Sequence, residues 1–365
     1  MKINEITRPT LLLDTGKCIR NIERVHSSTR ESCVIFRPHF KTHQSRFVGN
    51  LFKERGISRI TVSSVEMAGY FSAGGWEDIT IAFPFNPREY GEIVSIAAKS
   101  KLCLTIPGPE SARVLAHRCE TAVDVMIKID TGYNRSGLHW DDKESIVETA
   151  DILASNKKLN LTGLLTHTGD TYHADSPDEI ASLFDRSVER MHKSKNSLGR
   201  EDILISMGDT PSASVISKYS GVDEIRAGNF VFYDMMQVNL GVCNPDDIAV
   251  AVACPVVDIR KRSNSIVIYG GAVHFSKESI MMNGQKIYGR LVRITDRGWV
   301  EYDNEMYLTS VSQEHGIISD RGGKLSDLRI GDLIGILPVH SCLTANLLGR
   351  YLLSDGSYGD HMNGH

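Results

Sequence analysis

The stretch CVIFRPHFKTHQSRFVGNLFKERGISRITVSS (residues 33–64) contains one complete strand–helix–strand unit. A short β-branched and apolar run at 33–36 is followed by the amphipathic segment SRFVGNLFKERG and by a second β-branched run at 59–63. This order is typical of two parallel strands joined by a crossover helix. Because such crossovers are right-handed and pack back onto the sheet, the stretch predicts an α/β fold.

The same alternation continues as far as residue 227. Eight candidate strands are predicted, at residues 33–36, 59–63, 78–83, 101–106, 123–130, 161–166, 202–207 and 224–227. The best helix signal has Ser176 as N-cap, Glu179 completing a capping box and Gly199 as C-cap. Eight β-α units predict a closed (β/α)8 TIM-type barrel. An open doubly wound sheet is the alternative, but no G-x-G-x-x-G follows the first strand.

The sequence pattern changes after about residue 238, where runs of β-forming residues alternate with turn residues. This predicts a barrel over residues 20–237 and a second, mostly β domain over 238–365. The N-terminal stretch PTLLLD suits either domain, and residues 1–19 are assigned to the β-rich one. The polar tail SDGSYGDHMNGH (354–365) is expected to be loosely attached.

Composition excludes several classes of protein. Of the 365 residues, 41% are hydrophobic and 24% are charged, as in ordinary globular proteins. A net charge of −4 without a long basic run gives no indication of a nucleic-acid partner. No apolar run is long enough for a signal peptide or a membrane span, so no membrane partner is expected. The seven scattered cysteines contain no C-x-x-C pair, which predicts a reducing, cytoplasmic location.

Polar residues gather at the predicted carboxyl ends of the strands, where β/α barrels hold their catalytic groups. The first strand ends in PHFKTH with Lys41, and the last two end in SMGDTPS and RAGNFVFYD. Small residues, a threonine hydroxyl and backbone N–H groups suit a phosphate there. A lysine beside a phosphate site suggests a Schiff base to pyridoxal phosphate. From these residues alone, ordinary turns and a solvated lysine remain open alternatives.

Five motifs together resemble a known family. RPHFKTH, DTGYNRSG, THTGDTY, SMGDTPS and RAGNFVFYD occur in the order found in fold-type III pyridoxal phosphate enzymes, which have an alanine racemase-like barrel followed by a β domain. Residues 8 to 355 look most like the D-serine dehydratase and D-threonine aldolase group. The resemblance implies a small D-amino acid substrate and a homodimer with shared active sites.

The resemblance also implies roles for individual residues. Lys41 matches the lysine that binds the cofactor as a Schiff base, Arg135 the arginine that contacts the cofactor ring, and His167 the histidine packed against the ring face. Tyr172 matches an active-site tyrosine. Further cofactor-binding positions, mostly for the phosphate, are Ser206, Thr210, Gly228, Asn229 and Tyr233. The chain departs from the family pattern at Gln44, where another basic residue often follows K-T-H.

The motif LPVHSCLTANL places His340 and Cys342 two residues apart, so that a strand would point both to the same side. Imidazole and thiolate suit zinc, although a lone H-x-C is more often a core cysteine beside a structural histidine. The resemblance favours the metal. D-serine dehydratases hold a catalytic zinc with an H-x-C pair, whereas related aldolases often have a carboxylate in the second position. His340 and Cys342 are therefore assigned to zinc or another divalent metal.

The leading functional hypothesis is elimination from a D-β-hydroxy amino acid, with D-serine giving pyruvate and ammonia. In this scheme Lys41 removes the Cα proton, while the metal on His340 and Cys342 helps the β-hydroxyl to leave. Retro-aldol cleavage of D-threonine is the alternative. Racemisation, which requires bases on both cofactor faces, ranks lower. A non-enzymatic pyridoxal phosphate carrier would lack the β-rich domain.

Overall fold

Eight parallel strands form a nearly closed barrel in the computed structural model of this chain, which describes residues 3–302, 306–319 and 328–364. In chain order they are Ile35–Phe36, Arg59–Val62, Asp78–Pro84, Lys101–Ile106, Val123–Asp130, Leu159–Leu165, Leu204–Met207 and Glu224–Ile225. The eighth strand lies between the first and the seventh. A parallel bridge between His39 and Thr61 joins the first strand's continuation to the second. The expected TIM-type barrel is confirmed.

Amphipathic helices alternate with the barrel strands. They are Val65–Ala73, Tyr90–Ala97, Pro109–Arg118, Lys143–Ala154, Pro177–Leu198 and Thr210–Val215, besides Thr15–Glu31 and Arg46–Lys53. The longest has the predicted N-cap, since Ser176 Oγ accepts a hydrogen bond from Glu179 N at 3.2 Å. The Glu179 side chain, however, accepts from Asp175 N at 2.8 Å, one residue before the N–H group that the predicted capping box would use. It ends at Gly199, whose φ of 60° is readily adopted by glycine. In the described ranges, no helix is both long and apolar enough to cross a membrane.

The chain divides into two units, which we call the barrel unit and the β unit. The barrel unit contains Glu23–Lys41 and Gly49–Phe230. The β unit contains the described residues up to Ile22, the segment Thr42–Val48 and the described residues from Val231 onward. The chain therefore passes from the barrel unit into the β unit immediately after Lys41.

A ten-stranded, mostly antiparallel sheet dominates the described part of the β unit. Its strands are Thr10–Leu13, Val250–Arg260, Ser265–Tyr269, Gly289–Thr295, Gly298–Glu301, Tyr307–Val311, His315–Ser319, Leu333–Pro338, Tyr351–Leu353 and Tyr358–Gly359. The N-terminal strand is buried and pairs with the second strand and the ninth. A hairpin and three short helices complete the unit: Ile280–Met282, Gln285–Ile287, Met235–Asn239, Ala272–Phe275 and Ser341–Leu348. The expected mostly β second domain is confirmed as an architecture.

The expectation of a loose C-terminal tail is wrong for its described residues, 354–364. Tyr358–Gly359 pairs with Tyr351–Leu353, and His361 is only 5% exposed. The reason is that the tail adds a short strand to the sheet and that several of its polar groups are hydrogen bonded within the β unit, although most of its residues remain exposed.

A buried ion network occupies the interior of the barrel. Arg37 Nε lies 2.6 Å from Glu224 Oε2, and Arg37 Nη1 lies 2.6 Å from Asp78 Oδ1. Glu224 Oε1 also accepts a hydrogen bond from Ser206 Oγ at 2.7 Å. These charges tolerate burial because each has a partner of opposite sign or a hydrogen-bond donor.

Candidate active site

A cavity of about 410 Å³ lies at the carboxyl ends of the barrel strands. Three sequence-predicted residues, Lys41, Arg135 and His167, line it together. This is the end at which β/α barrels carry their catalytic groups, and the volume is that of an ordinary small-molecule site. The barrel thus brings together residues that are up to 126 positions apart in the chain.

The backbone leading to Lys41 is held on two sides. His39 N–H donates to the carbonyl of Ala227, which follows the eighth strand, and Phe40 N–H donates to the carbonyl of Thr61 in the second, both at 2.8 Å. Lys41 N–H itself donates to His39 Nδ1 at 3.3 Å. The Lys41 side chain is exposed where it borders the cavity. Its amine is therefore accessible to a ligand, on a main chain fixed by neighbouring strands.

His167 is held as a neutral ring. Its Nδ1 lies 2.7 Å from the carbonyl oxygen of Gly208, and since a carbonyl only accepts, Nδ1 carries the hydrogen. Burial, reinforced by the charge of Arg135, holds the pKa of His167 well below its usual value. The rings of Tyr133 and Tyr172 lie 5.9 Å and 6.1 Å from the imidazole. His167 consequently has a fixed orientation, with a lone pair on Nε2.

Sequence reasoning missed two cations of the cavity lining, Lys128 and Arg226. Burial, with the charges of Arg226 and Arg135, lowers the pKa of Lys128 to about 7. Burial also lowers the pKa of Arg226, to about 10. Both lie in or just after predicted strands, VDVMIKID and EIRAG, and a charged residue within such a run was the signal that could have found them. Among the residues that the structure describes, no carboxylate lines the cavity.

Ser206 lies below the cavity and not in its lining. Its hydroxyl donates to Glu224 Oε1 and accepts from Arg226 Nε at 2.6 Å. Arg226 Nη2 also donates to the carbonyl of Thr166. In this arrangement Ser206 fixes the orientation of Arg226.

The ends of the seventh and eighth strands pack closely together. A Cβ atom on Gly208 would lie 2.7 Å from the carbonyl carbon of Arg226, so only glycine fits there. Thr210 N–H donates to Tyr172 Oη at 3.3 Å, and Thr210 Oγ1 accepts from Phe230 N–H at 3.2 Å. The structure therefore brings the predicted residues Tyr172 and Thr210 into contact.

Three further predicted cofactor residues follow the eighth strand. Gly228 and Asn229 are buried in the barrel unit. Tyr233 belongs to the β unit, where it is fully buried with a φ of 49°.

The predicted metal pair lies in the β unit, at a junction between a strand and a helix. His340 has an extended backbone and directly precedes helix Ser341–Leu348, whose first turn contains Cys342. The two residues are therefore not on one strand, although their side chains are hydrogen bonded. Asp234 accepts from Ser341 N at 3.0 Å and fixes the start of this helix. Cys342 Sγ also donates to Thr42 Oγ1 at 3.4 Å.

The surroundings of His340 favour a positive charge. Burial lowers its pKa, but Cys342, Asp234 and Glu278 together raise it to about 10. His340 Nδ1 is hydrogen bonded to the carboxylate of Glu278, a contact that no sequence pattern predicts. Within residues 3–302, 306–319 and 328–364, no group of three or more His, Cys, Asp or Glu side chains is arranged to hold a metal. His340 and Cys342 are thus an imidazole and a thiol side by side, outside any larger group of such donors in those residues.

Comparison with known proteins identifies the family. The model for the alanine racemase N-terminal domain matches residues 13–235. The chain belongs to this family. The model for a putative serine dehydratase domain matches residues 249–354.

Curated relatives span nearly the whole chain. D-threo-3-hydroxyaspartate dehydratase of Delftia sp. (strain HT23) is 29% identical, over 96% of this chain and 95% of its own. D-serine dehydratase of Dictyostelium discoideum is also 29% identical, over 96% of this chain and 93% of its own. These relatives confirm the expected family group and the expected enzyme class, a pyridoxal phosphate-dependent lyase.

The solved structure of the Delftia enzyme is similar along the full length. It has a TM-score of 0.90 at 27% identity, covering 100% of this chain and 99% of its own. Structures of that enzyme also include a histidine-to-alanine variant and a cysteine-to-alanine variant, the latter in a metal-free form. The two replaced residues are two positions apart in that protein.

Proposed function

We propose that this chain is a pyridoxal phosphate- and zinc-dependent lyase for D-β-hydroxy amino acids, with D-serine as substrate and pyruvate and ammonia as products. One observation carries the proposal: the Lys41 amine borders a strand-end cavity that is lined by cations and, among the described residues, by no carboxylate. Such a lining suits an anionic cofactor and an amino acid carboxylate. The similarity to named dehydratases supports the reaction class.

Pyridoxal phosphate fits this cavity. Lys41 would hold it through a Schiff base, and Arg135 and His167 would contact its ring. Its phosphate would lie against the residues that follow the seventh and eighth strands, at Thr210, Gly228 and Asn229, and the family resemblance adds Tyr233 as a further phosphate position. Tyr172, which follows the sixth strand, would lie near the cofactor. The cofactor supplies an acceptor for the electron pair left at Cα when a proton is removed.

The residues of the chain position the substrate and move the proton. The Lys41 amine takes the Cα proton, because it is accessible on a backbone that the strands hold in place. Arg135, Arg226 and Lys128 stabilise negative charge within the cavity. His167, neutral and fixed by the carbonyl of Gly208, restricts the orientation of the bound ring without adding a charge.

Zinc, or another divalent metal, would bind His340 and Cys342. A metal there supplies a Lewis acid that helps the β-hydroxyl to leave. Glu278 holds Nδ1–H of His340 and so leaves Nε2 available as a ligand. The metal-free cysteine variant of the Delftia enzyme supports the assignment, since its two replaced residues have the spacing of His340 and Cys342.

We further propose a cytoplasmic homodimer with shared active sites. In the part of the chain that the structure describes, which includes all seven cysteines, no disulfide joins them, as expected in a reducing compartment. Light scattering of the holoenzyme would measure the subunit number, and a monomeric active enzyme would contradict this part of the proposal.

The test of the function is a panel of D- and L-β-hydroxy amino acids with the holoenzyme, scored for ammonia, oxoacid and aldehyde. D-serine should give pyruvate and ammonia in equal amounts, and D-threonine should give 2-oxobutanoate. Acetaldehyde and glycine from D-threonine would instead show an aldolase. Oxaloacetate from D-threo-3-hydroxyaspartate, without turnover of D-serine, would retain the lyase and overturn the substrate.

Metal dependence is tested on the same preparation. Removal of the metal with a chelator should abolish dehydration of D-serine, and added zinc should restore it. An unchanged rate in metal-free enzyme would refute the role of the metal.

A further inference from the structure

The segment Thr42–Val48, which begins directly after Lys41, is held by the C-terminal tail. Asp360 Oδ1 accepts hydrogen bonds from Ser45 Oγ and Phe47 N, both at 2.9 Å. Asp360 Oδ2 accepts from Arg46 N at 3.1 Å. The carboxylate that accepts hydrogen bonds at the N-terminus of helix Arg46–Lys53 therefore belongs to a residue more than 300 positions away in the chain.

Further contacts hold the middle of the segment. Met362 N–H donates to the Gln44 carbonyl at 2.7 Å, and the Gln44 side chain donates to Asn346 Oδ1 at 3.1 Å. Tyr351 Oη donates to the carbonyl of His43. Gln44 has a φ of 46°, a left-handed conformation that non-glycine residues seldom adopt unless the surroundings hold them in it.

The anchored segment is mostly buried, whereas Asp360 itself is exposed. His43 and Ser45 are fully buried, and Asp360 makes charge-assisted bonds to backbone N–H groups at a helix start. A Cβ atom on Gly359 would lie 3.4 Å from the Phe47 ring, so the tail also packs against the segment. The tail thus holds the segment Thr42–Val48 both by hydrogen bonds and by packing against Phe47.

We propose that Asp360 is a positioning residue for Lys41. The backbone before Lys41 is held by the barrel strands, through His39 and Phe40. The backbone after it is held by the tail, through Ser45, Arg46 and Phe47. Lys41 directly follows the first anchor, and residues 42–44, which Tyr351 and Met362 also hold, separate it from the second. Weakening the second anchor lets the main chain of Lys41, and with it the amine, shift from the geometry that binds the cofactor. The inference rests on the proposed Schiff base at Lys41.

The experiment compares Asp360→Ala and Asp360→Asn with a matched control, Asp355→Asn. Asp355 lies in the same tail, but it accepts hydrogen bonds from a near neighbour in the chain, from Ser357 N at 2.8 Å and Ser357 Oγ at 2.6 Å. Each holoenzyme is dialysed to measure loss of pyridoxal phosphate, and its Schiff base is titrated by visible absorbance. Circular dichroism and thermal unfolding report folding in parallel.

We expect Asp360→Ala to bind pyridoxal phosphate about tenfold more weakly, because losing a helix-start cap has an effect of about that factor. The Schiff-base pKa should also shift in Asp360→Ala, and Asp360→Asn should lie between it and the original protein. Asp355→Asn should match the original protein in both measurements. An unchanged Schiff-base titration and unchanged cofactor retention in the Asp360 variants would overturn the proposal, even if thermal unfolding changed.

If the Asp360 variants do not fold, Ser45→Ala decides the question. It removes the hydrogen bond from Ser45 Oγ to Asp360 and the one that Ser45 Oγ accepts from Val48 N at 3.1 Å, and it leaves the Asp360 carboxylate in place. A shifted Schiff-base pKa in Ser45→Ala supports the positioning role, and an unshifted one rejects it. If the original protein forms no Schiff base at Lys41, the proposed function itself fails, and this inference fails with it.

Discussion

The barrel cavity and the His340–Cys342 pair differ in how many groups each brings together. The cavity collects an amine, a fixed neutral imidazole and three further cations, Lys128, Arg135 and Arg226, from several strand ends. In the proposed function the pair would offer a metal two protein donors, and no larger donor group is found among the described residues. Several side chains supply the positive charge of the cavity, so losing one cation should weaken anion binding only moderately. Each member of the pair would be one of only two protein ligands to the proposed metal, so losing either should remove the metal.

Lys41 is the exception to sharing, because its proposed role is covalent, whereas the other amine of the lining, Lys128, is buried. Lys41→Ala should lower D-serine dehydration by at least about ten-thousandfold, since it removes both the cofactor linkage and the proton acceptor. The visible Schiff-base absorbance should disappear at the same time. Steady-state kinetics and absorbance spectra measure both effects.

The matched control is Lys101→Ala. Lys101 begins the fourth barrel strand, at the opposite end of the barrel, and pairs with Asp124 at 3.1 Å. This variant should keep the activity and the spectrum. A Lys41→Ala enzyme with a rate within tenfold of the original would contradict the covalent role of Lys41.

Cys342→Ala tests the two-donor site. We expect the metal content to fall below one-tenth of an ion per chain and dehydration to slow by roughly a hundredfold to a thousandfold, because hydroxide is a poor leaving group without a Lewis acid. The Schiff base should remain. Elemental analysis and turnover are the measurements, with Cys33→Ala, an exposed cysteine, as control. Full metal content in Cys342→Ala would show that the ligands lie elsewhere.

Glu278→Gln probes the support of the same pair. It keeps the shape of the side chain but weakens the hold on His340 Nδ1–H, so metal affinity should fall by about tenfold to a hundredfold. The effect should be smaller than that of Cys342→Ala, because both donors remain. Competition with a chromogenic chelator measures it. Glu314→Gln, at a glutamate 3.9 Å from His274, is the control, and equal affinities in the two variants would contradict the role of Glu278.

The same contrast explains what the sequence could predict. All eight strands were predicted, and every predicted end lies within two residues of the observed one, because alternating strand and helix patterns are local. Once a barrel is inferred, its topology places Lys41, Arg135 and His167 at one end without any knowledge of contacts. The first strand is the clearest case, since Ile35–Phe36 leads directly to the lysine.

The missed residues share a different property, since each depends on a partner far away in the chain. Lys128 and Arg226 are charged residues within segments that predict buried strands. Their charged side chains can be accommodated there only because they line the cavity. Glu278 meets His340 across 62 positions. The tail was expected to be loose because it is polar, yet Asp360 finds its donors more than 300 residues earlier. Composition and periodicity carry no signal for such pairs.

Lys128 gives the smallest expected effect and the sharpest test of shared charge. Because burial and the neighbouring Arg226 and Arg135 lower its pKa to about 7, Lys128 is charged below that pH and neutral above it. Lys128→Met should therefore weaken pyridoxal phosphate binding by roughly fivefold at pH 6 and leave it unchanged at pH 9. The dissociation constant is compared with that of Lys99→Met, an exposed lysine on the barrel unit, at both pH values.

The ratio of the two dissociation constants is the informative quantity, because titration of the cofactor phosphate affects both variants equally. A ratio that falls as the pH rises through about 7 shows that the Lys128 charge contributes to anion binding only while the amine is protonated. A loss of a hundredfold or more at pH 6 would contradict shared charge, since a single cation would then dominate the cavity. A ratio independent of pH would instead mean that Lys128 acts through its packing, which is the same in both protonation states.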